Sequence, residues 1–176
     1  MTMDKIEQRA LCHNQLQNLL NAGVAHIRKQ GHPALGEEGK CMYRTAIVNR
    51  GDVPSKCFIG GCIADEHYDP LSENKDVTHC GPLNMLAASG FPLTFVDTSG
   101  PHVLRAMQRE LHDDVARKAN MSNYTRGVVK SWGPEACVTT RDDDPATFDA
   151  RWMTRFEGSL RTFCDRYGFT APEPTT

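Results

Sequence analysis

The residues best suited to chemistry in this chain crowd into one stretch: Cys41, Tyr43, Arg44, Cys57, Cys62, Asp65, Glu66, His67 and Tyr68. Tetrahedral zinc takes four soft ligands, and Cys41, Cys57, Cys62 and His67 would supply them. The spacing argues against that reading, because structural zinc sites pair ligands about two to four residues apart at both ends, and here only Cys57 and Cys62 are close. Free thiols packing as small hydrophobes fit the pattern better. A nucleophilic cysteine needs a base and an electropositive, partly exposed setting. His67, His79 and His112 could serve as bases, but no cysteine reads as opening a helix after a glycine-rich turn.

Other candidates are weaker still. His112-Asp113 matches the metal-binding dipeptide of phosphohydrolases, yet such a pair arises readily by chance, and a hydrogen-bonded histidine on a helix surface explains it. Asp142, Asp143 and Asp144 precede a helix start, where the positive end of the helix favours acids. The segment around Gly39-Lys40 lacks the spacing and the following hydroxyl of a phosphate loop. Asp65 and Glu66 side by side diverge into water. Arg44 on an apolar segment calls for a carboxylate, and Asp65 is the expected structural partner.

The elements that must hold these residues are read from periodicity and punctuation. Residues 4–30 carry Ile6, Leu16, Leu19, Leu20, Val24 and Ile27 mainly at helical spacing, with Gly31 as the stop and Gly23 marking a place for a break. Residues 41–48 and 56–59 read as two strands of a β-hairpin about the turn-rich stretch 49–54. Gly60-Gly61 then ends the second strand and permits close approaches that a Cβ would forbid. Leu83 to Ala88 offers one or two helical turns before Gly90. Thr98 or Ser99 caps a helix that runs to about residue 119, with Val103, Leu104, Met107, Leu111 and Val115 on one face. Residues 121–143 lack a period and read as a loop or insertion. The last helix starts at Asp144-Pro145, presents Phe148, Trp152, Phe156, Leu160, Phe163 and Tyr167, and ends at Gly168. Residues 171–176 read as a frayed tail. The expected fold is α+β: a small antiparallel hairpin or sheet packed against about three main helices, in one domain of 176 residues.

A formal net charge of −2, 39% hydrophobic and 24% charged residues describe an ordinary globular chain. That balance supplies no basic field for nucleic acid or an anionic membrane. The first twenty residues interleave Asp4, Lys5, Glu7 and Arg9 with apolar ones, unlike a secretory signal. The longest apolar run, 57–64, falls well short of the roughly 18–20 residues that span a bilayer. Seven cysteines, an odd number, point to thiols in a reducing cytosol.

Cys41-Met42-Tyr43-Arg44, followed by Lys56-Cys57-Phe58-Ile59-Gly60-Gly61-Cys62-Ile63-Ala64-Asp65-Glu66-His67-Tyr68, resembles a family of short uncharacterised proteins of tailed phages and prophages. The family pattern runs Cys-x-Tyr-Arg, a turn, then Lys-Cys-x-x-Gly-Cys-x-Ile-x-Asp-Glu-x-Tyr. The likeness extends to the helix ends around His26 to Gly31, to Leu104, Met107, Gln108, Leu111, His112 and Asp113, and to Trp152, Phe156 and Leu160. The chain departs from it in the doubled glycine at 60–61, in Ala64 and in the longer connection after Asp113. The resemblance implies a bacterial cytoplasm during infection or lysogeny. The family brings no established activity; in that setting a small acidic chain without catalytic signatures is expected to be a non-catalytic protein that binds and modulates a host or defence protein, with host or viral protein as partner and no cofactor. The alternatives are a hydrolase-like enzyme using the Cys/His region 57–67 or His112-Asp113, and a zinc-stabilised module on Cys41, Cys57, Cys62 and His67.

Overall fold

Asp4 begins the structure as a helix cap. In the computed structural model, which describes residues 3–34, 42–44, 54–115 and 145–174, its carboxylate accepts the N–H groups of Ile6 and Glu7, both at 2.8 Å. Glu7 returns a bond to the Asp4 N–H, completing a capping box. Helix α1 (Lys5–Gln30) then runs unbroken to Gly31, which closes it in the left-handed region at φ 76°. The break allowed for at Gly23 does not occur. A Cβ there would lie 2.5 Å from the Phe58 ring, so the glycine is a slot for that side chain and not a hinge.

Three 3-10 turns follow, at Gly60–Cys62, Asp65–His67 and Pro70–Ser72. Helix α2 (Cys80–Ala88) comes next, capped by His79. Helix α3 (Ser99–Gln108) continues through a π-helical turn, Arg109–Asp113. Its first turn is held by Asp97, which accepts the Ser99 N–H at 2.9 Å, and not by a side chain of Thr98 or Ser99. Helix α4 (Pro145–Tyr167) ends as expected at Gly168, φ 72°. There the Phe169 N–H reaches back to the Cys164 carbonyl at 3.0 Å, the Schellman arrangement.

The expected α+β class is overturned. About 65% of the described residues are helical, 2% are in β-bridges, and they form no sheet. What remains of the hairpin is one antiparallel bridge between Arg44 and Lys56, supported by a Cys57 N–H to Met42 carbonyl bond of 3.3 Å. Residues 45–53, the rest of that reading, lie outside the described residues. Cys57, Phe58 and Ile59 are buried as expected, but they turn over the middle of α1 instead of extending along a partner strand. A short continuous apolar run looks the same in either setting.

The core joins Leu16, Leu19, Leu20, Val24 and Ile27 of α1 to Phe58 and Ile59, to Leu104, Met107 and Leu111 of α3, and to Trp152, Phe156, Leu160 and Phe163 of α4. Residues 169–174 are tied down and not frayed. Gln17 exchanges two hydrogen bonds of 2.9 Å with the Thr170 backbone, and Arg28 donates to the carbonyls of Pro172 and Glu173. The 121–143 segment and residues 175–176 lie outside the described residues. No described helix is long and apolar enough to cross a membrane.

Candidate functional site

The sequence cluster divides into a dry half and a polar half. Cys57 and Cys62 belong to the dry half. The Cys62 thiol faces the carbonyls of Leu19 (3.7 Å) and Phe58 (3.6 Å). Burial pushes it up to about 12, with the neighbouring Cys57 adding to the effect. The Cys57 sulfur accepts the Gly60 N–H at 3.2 Å and lies 3.7 Å from the Gln108 side-chain amide. His67 is exposed on its 3-10 turn. The described members of the proposed zinc set therefore do not converge, Cys41 lies outside the described residues, and no three His, Cys, Asp or Glu among the described residues gather as metal ligands.

The polar half is centred on a residue the sequence reading missed. Glu73 Oε1 accepts the Arg44 N–H at 2.9 Å and the Tyr68 hydroxyl at 2.6 Å, while Oε2 accepts the Tyr43 N–H at 3.1 Å. Tyr43 in turn donates its hydroxyl to the Lys75 carbonyl at 2.9 Å. One carboxylate thus fastens residues 43–44 to the turns at 65–73. Its signal was invisible because two of its three partners lie about thirty positions away and are backbone groups of no particular residue type. Burial, then the hydrogen bond to Glu73, raises the Tyr68 phenol, so it stays the donor.

Asp65 sits beside this latch and takes the expected Arg44 pair at 3.4 Å, together with a closer one from Lys56 Nζ at 2.6 Å. The Lys56 hydrogen bond, its charge and that of Arg44 lower the Asp65 carboxyl. Asp65 is 65% exposed, so the pair contributes only about 0–1 kcal/mol. The Arg44 guanidinium also lies 5.5 Å from the centre of the Tyr68 ring. These groups satisfy one another, and the arrangement is a clamp between chain segments. Glu73→Gln is expected to cost about 1–3 kcal/mol, because one acceptor oxygen becomes a donor facing a backbone N–H. Amide exchange checks it: protection at Tyr43 and Arg44 falls while that in the middle of α1 is unchanged.

His112 is structural, and buried instead of lying on the helix surface, while Asp113 beside it is half-exposed. His112 Nε2 accepts the Ala34 N–H at 3.1 Å, Nδ1 lies 3.3 Å from Asp113 Oδ1, and the ring stands edge-on to Trp152. With Nε2 accepting, the neutral ring carries its proton on Nδ1. His26 lies under Gly60-Gly61, where a Cβ on Gly61 would meet its ring at 2.2 Å. Burial lowers its pKa, followed by the opposing hydrogen bond to the Lys56 carbonyl and the nearby Lys56 charge. A surface hollow of about 370 Å³ lies elsewhere, lined by Ala25, Arg28, Lys29, Met153, Glu157 and Pro174. Its Arg28 is already spent on both carboxylate oxygens of Glu157.

No protein-family model matches the chain, and neither a curated protein nor a solved structure matches it.

Proposed function

We propose that the chain is a phage- or prophage-type interaction protein that binds and modulates a host or defence protein in the bacterial cytoplasm. The provenance rests on the Cys-x-Tyr-Arg and Lys-Cys pattern around the clamp. The observation that carries a binding role is the distribution of exposed apolar side chains. Three of the four large ones among the described residues, Met3, Ile6 and Leu11, lie at the start of α1, with Ile6 78% exposed. That end of the helix is already rigid. Its capping box closes the first turn, and Arg9 pairs with Asp97 at 2.9 Å. A preformed helix end with uncovered apolar side chains loses little conformational freedom on docking into a groove of a partner.

The test is affinity purification of the tagged protein from cross-linked bacterial cells, comparing wild type with Ile6→Asp. Wild type is expected to retain one stoichiometric protein, and Ile6→Asp to lose about tenfold or more of it, with the melting temperature unchanged. Equal recovery by both proteins, or none by wild type, would count against the reading.

A further inference from the structure

Cys80, three residues ahead of the helical turns expected at Leu83 to Ala88, is the first residue of α2, and of the described cysteines it is the exposed one. Cys12, Cys57, Cys62 and Cys164 are buried, and burial raises the thiols of Cys12, Cys62 and Cys164. Cys80 is placed differently. Its sulfur lies 3.5 Å from Nδ1 of His79, which also accepts the Gly81 N–H at 3.3 Å, so Nδ1 presents a lone pair toward the thiol. Cysteine reacts as the thiolate, and an adjacent unprotonated imidazole nitrogen can take up the thiol proton.

An independent feature meets this turn from the inside. Ser72 is fully buried, and its hydroxyl has no hydrogen-bond partner among the described residues. That hydroxyl fills the place a Gly81 side chain would take, 2.4 Å from the position of a Cβ. The same position lies 3.9 Å from His79 Nδ1. A buried polar group normally has a partner, and this one points at Gly81, in the turn that begins with His79 and Cys80.

We propose that Cys80 is a modification site that exchanges with low-molecular-weight disulfides, with His79 as the base. The thiol proton passes to Nδ1, which frees the Gly81 N–H from that nitrogen. The sulfur attacks one sulfur of the disulfide, a protein–small-molecule disulfide forms, the original S–S bond breaks, and the departing thiolate takes the proton back from His79. The incoming disulfide is the oxidant, and no other co-reactant is needed.

The test exposes the native full chain at neutral pH to dithionitrobenzoate and, separately, to glutathione disulfide, with the modified residue located by peptide mapping. Mapping is needed because Cys41 and Cys137 lie outside the described residues. One fast site is expected, on Cys80, reacting about tenfold faster than the same thiol in urea-unfolded protein. Cys80→Ser removes it. His79→Asn, which still caps the helix, slows it about tenfold without changing the melting temperature, and Ser72→Ala slows it to a smaller extent. A fast label on any other cysteine, a Cys80 rate no higher than in the unfolded chain, or a His79→Asn rate equal to wild type would each overturn the proposal.

Discussion

Gly60→Ala is expected to destabilise the fold strongly. The added Cβ would sit 1.8 Å from the Tyr43 carbonyl oxygen and 2.8 Å from the Tyr43 Cα, and these are backbone atoms that no rotamer change can move. Residues 42–44 are not free to retreat either. The Met42 carbonyl accepts the Cys57 N–H, Arg44 bridges to Lys56, and the Tyr43 and Arg44 N–H groups end on the Glu73 carboxylate. Relief requires breaking that set or lifting the Gly60–Cys62 turn away from α1. Overpacking against backbone costs about 3 kcal/mol, a large share of a total stability of roughly 5–15 kcal/mol. Gly158→Ala is the control. That residue lies inside α4 with open space where the Cβ would go, so the change is expected to stabilise by about 0.5–1 kcal/mol. Urea unfolding separates the two outcomes, and a Gly60→Ala midpoint equal to wild type would mean that residues 42–44 do not pack on this turn.

The second large effect is expected at Trp152. Its indole is fully buried, stacked on Phe156 with centroids 5.6 Å apart and edge-on to His112 at 6.2 Å. It therefore joins α4 to the π-helical turn of α3. Trp152→Ala removes both ring contacts and leaves a cavity between two helices, at a cost of about 3–5 kcal/mol. Trp152→Phe keeps an aromatic ring against Phe156. It also deletes an indole N–H that has no hydrogen-bond partner among the described residues. Its cost is expected to stay below about 1.5 kcal/mol. Thermal melting of the two variants decides the point, since equal losses would show that a ring kept against Phe156 contributes nothing at this position.

Both predictions concern places where distant parts of the chain meet, and such places were the least legible in the sequence. The helix ends of α1 and α4 were readable because their signals are local. Asp4 with Glu7 three residues later, Gly31, Pro145 and Gly168 act on their own turns, through hydrogen bonds and backbone angles that hardly depend on the remainder of the fold. The buried faces of α1, α3 and α4 were readable for the same reason, because helical spacing places Leu16, Leu20, Leu104, Leu111, Trp152 and Phe163 on their inner sides.

Lys56 to Ile59 was misread as a strand, since an apolar run of three after Lys56 carries no period and the choice between pairing and turning is made by α1, which meets Phe58 at Gly23. The helical turns read at Leu83 to Ala88 begin three residues earlier, at Cys80, because Pro82 falls in the first turn of α2, where it is tolerated, and His79 supplies the cap. The Arg44 and Asp65 pair was foreseeable from charge alone. Glu73 was not, because a carboxylate that binds backbone N–H groups has partners with no sequence signature. The sequence by itself determined where the long helices begin and end and which sides they bury, because capping and periodicity act within a turn or two. Tertiary structure alone decided the conformation of the cysteine-rich stretch, the carboxylate that clamps it, and which of the described cysteines is left exposed beside a histidine.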